Sequence, residues 1–177
     1  MIKKIFQNTF LFLLSFYIVL IVALPKEGLW FKLEEVLKER NIVVDGEEVS
    51  DRYISLNIRN GEIVASDMSV AIFENINIYP FLFFNRIDIE NLQVGKDFPQ
   101  FGDIYLDNLI VTNSIVKPTK LLLDGNGSIG NFKGRIDISK RTIDILLYPS
   151  EKVKKMRAVM RYFKEYKDGG YIYNGKF

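Results

Sequence analysis

Two residue types are missing outright. The 177-residue chain has no cysteine and no histidine. That removes disulfides, thiol nucleophiles, zinc sites with sulfur or nitrogen ligands, lipid attachment through cysteine, and imidazole acid–base chemistry. A disulfide-free domain is still compatible with an oxidising compartment, which permits such bridges without requiring them. An excess of one charge is also lacking, with 24 Lys and Arg against 22 Asp and Glu and a formal charge of +2. So small an excess does not identify a nucleic-acid binder, and no nucleic-acid partner is expected. Tryptophan occurs once, whereas phenylalanine reaches 14 and tyrosine nine. Such rings fill a β core or line an apolar groove.

Charge is absent altogether from Ile5 to Leu24, and from Phe10 onward only Ser15 interrupts the apolar side chains. Twenty helical residues rise about 30 Å, the thickness of a bilayer's hydrocarbon layer. Residues 5–24 therefore read as a transmembrane anchor in contact with membrane lipids. Lys3 and Lys4 precede the run, while Lys26, Glu27, Lys32, Glu34 and Glu35 follow it in near balance. The positive-inside bias then keeps residues 1–4 in the cytoplasm and sends the rest of the chain across as a single-pass protein. Removal of the run as a signal peptide is the main alternative. A cut after Ala23 would place Ile21 where a small side chain is expected.

Pro25 closes the run, and residues 25–40 read as an amphipathic juxtamembrane helix. Trp30, Leu33 and Leu37 share one face, broadened by Leu29 and Val36. This helix packs on the following domain or lies at the lipid surface with Trp30 among the headgroups.

From Asn41 the period drops to two, and residues 41–149 read as a β-rich domain. Ile54, Leu56 and Ile58 alternate with polar residues before Asn60-Gly61, a turn signal followed by a second alternating run through Val64 and Ile72. Pro80 is expected to interrupt the extended run. Phe81, Leu82, Phe83 and Phe84 then form a cluster that serves as core, as a covered sheet edge, or as a contact for lipid or a partner. Arg86-Ile87-Asp88-Ile89-Glu90-Asn91-Leu92 recurs seventeen residues later as Asp103-Ile104-Tyr105-Leu106-Asp107-Asn108-Leu109. Gly95, Pro99 and Gly102 between the copies allow the chain to turn. The repeat favours a sheet of rungs or hairpins. Asp124-Gly125-Asn126-Gly127 is a second expected turn, and Lys140-Arg141 a third, joining two alternating runs as a hairpin.

Residues 150–177 read as a basic amphipathic helix and a terminal strand. Ser150 is a fitting N-cap, and Val153, Met156, Met160 and Phe163 form a helical stripe. Seven basic and two acidic residues lie between Glu151 and Lys167. Lys152, Lys154, Lys155, Arg157, Arg161 and Lys164 are the candidates for contact with an anionic surface. Gly169-Gly170 ends the helix before the strand Tyr171-Ile172-Tyr173. The fold class is thus mainly β: a transmembrane helix, a small domain of short antiparallel or repeated strands, and a C-terminal amphipathic helix.

The chemistry-bearing residues have economical structural readings. Asp88 and Glu90, Asp103 and Asp107, and Asp137 and Asp144 are acid pairs by type, yet period-two placement puts Asp88, Glu90 and Asp137 on the wet face of a sheet. Ser128 and Ser139 lack a histidine to activate them, and a serine–lysine pair is the remaining arrangement. The Asp124 to Gly127 stretch lacks EF-hand spacing, and the glycines lack a phosphate-loop ending. No catalytic residue, cofactor or metal is assigned, and the chain reads as a non-enzyme, with a serine–lysine or acid-pair hydrolase as the weakest alternative.

The anchor, Leu24-Pro25 with the Trp30 segment, the Ile87 to Leu92 repeat unit and the stretch Gly125 to Ile138 together resemble the type II secretion system protein N family. The chain is more distantly similar to AsmA-like envelope proteins. That resemblance implies a bacterial inner-membrane anchor carrying a periplasmic β-rich domain, an accessory or scaffold in secretion or envelope assembly, with proteins of that machinery as partners. The AsmA-like side, or an LptC-type membrane-anchored jellyroll, implies instead a module that binds or transfers lipid. The chain is short beside the long grooves of large AsmA-like proteins.

Overall fold

The computed structural model describes residues 2–101 and 104–177. Gly102 and Asp103, expected above in a turn and an acid pair, lie outside them. Helix α1 (Ile2–Ala23) leaves almost every apolar side chain exposed, Phe12 by 70% and Val19 by 60%, with Ile21 alone buried. A core helix would hide those groups, so this one is suited to lipid. Among the described residues it is the one helix long and apolar enough to span a membrane. It ends where Pro25 disfavours helical geometry at Leu24. Helix α2 (Lys26–Lys38) follows directly.

The rest is one antiparallel sheet. Strands β1 (Ile42–Asp45) and β2 (Glu48–Arg52) pair in succession with the same edge of β3 (Ser55–Ala65). From β3 the chain meanders through β4 (Met68–Phe81), β5 (Phe84–Val94), β6 (Tyr105–Ser114), β7 (Lys117–Gly127), β8 (Gly130–Asp137) and β9 (Thr142–Pro149), each pairing with the next. Strand β11 (Tyr171–Lys176) pairs with β9, and the two-residue β10 (Lys164–Glu165) lies outside it. The order is a simple up-and-down path, so of the rungs or hairpins that the repeat favoured it is antiparallel neighbours that occur.

Two turn expectations and the expected break at Pro80 are corrected. Asn60-Gly61 lies inside β3, Asp124 to Gly127 inside β7, and Pro80 inside β4. At two of these sites the glycine is needed for room. Gly61 is the direct cross-strand partner of Phe73, and Gly125 of Phe132, so each ring lies over a position without a side chain. Pro80 is tolerated because it sits one residue from the strand's end. The hairpin expected at Lys140-Arg141 is present, with Arg141 at φ 52°.

A line of irregularities crosses the sheet. Asn60 (φ 58°) and Asn91 (φ 52°) flank Glu74 of β4 on its two sides, and the register shifts between Leu106 and Asn108. On each strand the apolar spacing changes there from two to three: Phe73 and Ile76, Ile89 and Leu92, Leu106 and Leu109. The acid–asparagine pairs of the sequence repeat, Glu90-Asn91 and Asp107-Asn108, mark this line on two adjacent antiparallel strands. The repeat is thus the signature of a shared kink.

The expected C-terminal helix is broken. Single turns α3 (Glu151–Lys154) and α4 (Arg157–Met160) are separated at Met156, whose ψ of 88° is not helical. The stripe finds different partners instead. Val153 is buried at the sheet, Phe163 packs on Tyr173 at 5.8 Å between ring centres, and Lys164-Glu165 pairs as a strand. Ser150 does cap α3, accepting from Val153 N–H at 3.3 Å.

Candidate functional site

Direct cross-strand partners share a face of a sheet, so the register assigns each side chain a side. One face carries two apolar rows. The first runs Leu56, Ile78, Ile87, Val111, Leu123, Gly134, Ile145, Tyr173, and the second Ile58, Ile76, Ile89, Leu109, Gly125, Phe132, Leu147, Tyr171. Neither holds a charged residue from β3 to β11. Cover differs along them. Trp30 of α2 buries the β3–β4 end together with Leu56, Ile58, Phe73 and Ile76. At the other end Phe132 and Leu147 are buried, and α3 packs on β9. Through β5, β6 and β7 the row residues Ile87, Ile89, Leu109, Val111 and Leu123 are only half-buried.

The opposite face is more polar, though Ile110, Leu122, Leu146 and Ile172 lie on it. Asn57, 1% exposed, donates to Asn75 and to Asn77 (3.0 Å), and Asn75 donates to Glu90 (2.9 Å). Farther along, two adjoining surface grooves of about 580 and 520 Å³ share Thr112, Leu122 and Arg135. Lys133 lies 3.3 Å from Asp124 there, and Lys120 3.9 Å from Asp137.

Apart from the exposed Asp107, the described residues singled out for chemistry are engaged structurally. Asp88 binds Arg86 at 2.7 Å, and Asp144 accepts from Asn174 at 2.7 Å. Ser128 clamps Tyr105 by donating to its carbonyl and accepting from its N–H. Ser139 donates to Asp137 at 2.6 Å. This bond, followed by the Lys140 backbone N–H and the Lys120 charge, holds the Asp137 carboxyl below its ordinary range. Among the described residues no cluster of three metal-ligating side chains occurs.

The contact candidates are distributed as follows. Trp30 is 7% exposed and lies in the core. Phe81 half-buries itself against Tyr79 and Phe84, at 5.9 and 4.9 Å between ring centres. Leu82 and Phe83 form the β4–β5 turn and are exposed, and Phe83 stacks on Tyr17 of α1 at 5.5 Å. The sequence reading missed Tyr17, whose signal was a hydroxyl-bearing ring inside the apolar run. The basic candidates do not share one stripe, because α3 and α4 are separate. Lys154 pairs with Glu151 at 2.6 Å, and Arg161 lies over the Tyr162 ring at 4.6 Å. Lys152, Lys155, Arg157 and Lys164 are exposed. Comparisons with protein-family models, with curated proteins and with solved structures return no match.

Proposed function

We propose that this chain is a noncatalytic accessory of the bacterial inner membrane, anchored by α1 with its sheet on the periplasmic side, and that the sheet holds the acyl part of a lipid or lipid-linked molecule. The observation that carries this reading is the pair of uncharged rows, covered by Trp30 at the β3–β4 end and half-open from β5 to β7 and, on the first row, on to Ile145. An acyl chain laid along such rows removes apolar surface from water at about 25 cal/mol per Å². It requires no directional partner, in keeping with rows that carry no charge and whose side-chain polar atoms are the hydroxyls of Tyr171 and Tyr173 at the β11 end. The charge asymmetry around the uncharged run, with Lys3 and Lys4 in the first turn of α1 just before it, supports the orientation.

Photo-crosslinking amino acids at Val111 and Ile145 test the proposal in membranes containing the full chain. Lipid adducts at these positions, and none at Asp124 on the opposite face, are expected. Equal labelling of both faces, or no lipid adduct on either, overturns it. The second reading, a secretion or envelope-assembly scaffold of the protein N type, draws on the same half-open rows with a protein segment lying on them. Protein-sized adducts at Val111 and Ile145 identify it.

A further inference from the structure

A meander alternates its turns between two ends of the sheet, and here the two ends differ in chemistry. Arg52 pairs with Ser55, Phe81 with Phe84 and Ser114 with Lys117, so the tight turns Tyr53-Ile54, Leu82-Phe83 and Ile115-Val116 all fall at one end. At the other end the corresponding turns are Ser66-Asp67 and Ser128-Ile129. Two-residue hairpin turns ordinarily use Asn, Asp and Gly, which adopt positive φ and leave no apolar group in water. Three successive turns made of large apolar pairs run against that chemistry. Tyr53 even adopts φ 55° without being glycine. These side chains are among the most exposed outside α1: Tyr53 by 79%, Phe83 by 65% and Val116 by 81%.

The anchor meets this same end. Phe83 stacks on Tyr17, and seven residues at 1.5 Å each place Tyr17 about 10 Å before Leu24 along the uncharged run. Ile115 N–H donates to the Phe83 carbonyl at 3.1 Å, which ties the next turn to the same depth. The exposed charges bordering the end are mostly cationic: Arg52, Lys117, Lys140, Arg141 and Lys176. The acids beside them are Asp51, bound to Lys26 at 3.1 Å, and Glu27, which accepts from the Asp51 backbone N–H at 3.0 Å.

We infer that the apolar-turn end of the sheet is seated in the bilayer leaflet from which α1 emerges, with Leu82-Phe83 and Ile115-Val116 among the acyl chains and the bordering cations at anionic headgroups. A protein partner is disfavoured as the occupant, because it would have to reach these turns at a depth where α1 is surrounded by lipid. Insertion of apolar groups by about 5–10 Å is the depth at which amphipathic elements rest in an interface. The sheet then stands on the membrane and its apolar face begins at the acyl layer. The inference does not depend on whether that face holds a lipid.

The cysteine-free chain allows clean single-site labelling. Leu82→Cys, Val116→Cys and Asp67→Cys variants of the full chain carry a nitroxide and are reconstituted in vesicles of phosphatidylcholine and phosphatidylglycerol. Collision with dissolved oxygen, which concentrates in lipid, is compared with collision with a water-soluble nickel complex. The expected oxygen-to-nickel ratio is several-fold higher at Leu82 and Val116 than at Asp67. Equal ratios at all three positions overturn the inference, and so does shielding of Leu82 and Val116 from both reagents, which marks a protein contact. The sites are exposed turns, and matching circular dichroism shows that each variant keeps the fold.

Discussion

The ring of Phe132 lies over Gly125, its direct partner across the β7–β8 ladder. A methyl group placed on Gly125 would sit 2.5 Å from Phe132 Cζ and 3.2 Å from the Asn108 carbonyl. Gly125→Ala should therefore destabilise the sheet by about 1–3 kcal/mol, the range for overpacking. If the ring is the obstacle, the loss should shrink in a Phe132→Leu background, leaving a coupling of at least about 0.5 kcal/mol. Urea unfolding of the four proteins of that cycle, followed by circular dichroism in detergent, measures it, and strictly additive losses count against the account.

The same pair shows what could be read locally. The uncharged run, the stop at Pro25, the period of two from Asn41, the hairpin at Lys140-Arg141 and the terminal strand at Tyr171 each depend on neighbours in sequence, and each is present. Gly61 and Gly125 depend on rings on another strand. A glycine beside asparagine signals a turn equally well, so only the register separates the two uses. The C-terminal helix failed for a similar reason: its stripe was periodic, but Val153 and Phe163 had sheet partners that broke the helix at Met156. At the candidate site, the Phe81 to Phe84 cluster was visible as composition. Its place at a turn against Tyr17 was not, because α1 and the hairpin are distant in sequence.

Lys26 and Asp51 form an asymmetric pair. The lysine is 3% exposed and holds both carboxylate oxygens of Asp51, at 3.1 and 3.3 Å, as well as the Leu24 carbonyl, whereas the Asp51 side chain is 33% exposed. Asp51→Asn leaves an enclosed ammonium without its counter-charge. Lys26→Met leaves a carboxylate that water can reach. Asp51→Asn should thus cost about 2–4 kcal/mol and Lys26→Met about half of that, since losing one partner of a buried pair strands the other. Unfolding midpoints decide the order, and a larger loss for Lys26→Met contradicts it.

Burial first, then the hydrogen bond that the protonated Glu34 carboxyl gives to Glu47 and the negative charge of Glu47, push the Glu34 carboxyl up to about 7. Between the ordinary carboxylate value and pH 7 the folded chain keeps a proton that the unfolded chain has released. Stability should therefore fall as the pH rises through that interval and level off above it. Glu34→Gln should remove this part of the dependence and make the protein at pH 8 more stable than the parent. Urea midpoints at pH 5 and pH 8 for both proteins test the sign, and an identical slope in the variant refutes the assignment.

Asn91 and Glu74 sit on the line where the apolar spacing changes from two to three. The Asn91 side-chain amide donates to the Glu74 carboxylate, while its backbone holds φ 52°. Asparagine is suited to both tasks, because it tolerates left-handed geometry better than other residues with a Cβ. Asn91→Gly keeps the backbone and loses the exposed hydrogen bond. Asn91→Ala loses the bond and adds about 1–2 kcal/mol of left-handed strain, and Asn91→Val adds the crowding of a β-branched side chain. Stability should decline in the order Gly, Ala, Val. If β5 straightens in the valine variant, every residue on one side of position 91 changes face, which turns Leu92 away from Phe73 and the apolar rows. Hydrogen exchange at Leu92 and Phe73 should then rise ahead of exchange at Ile87. Valine tolerated as well as glycine would mean that the positive φ does not set the kink.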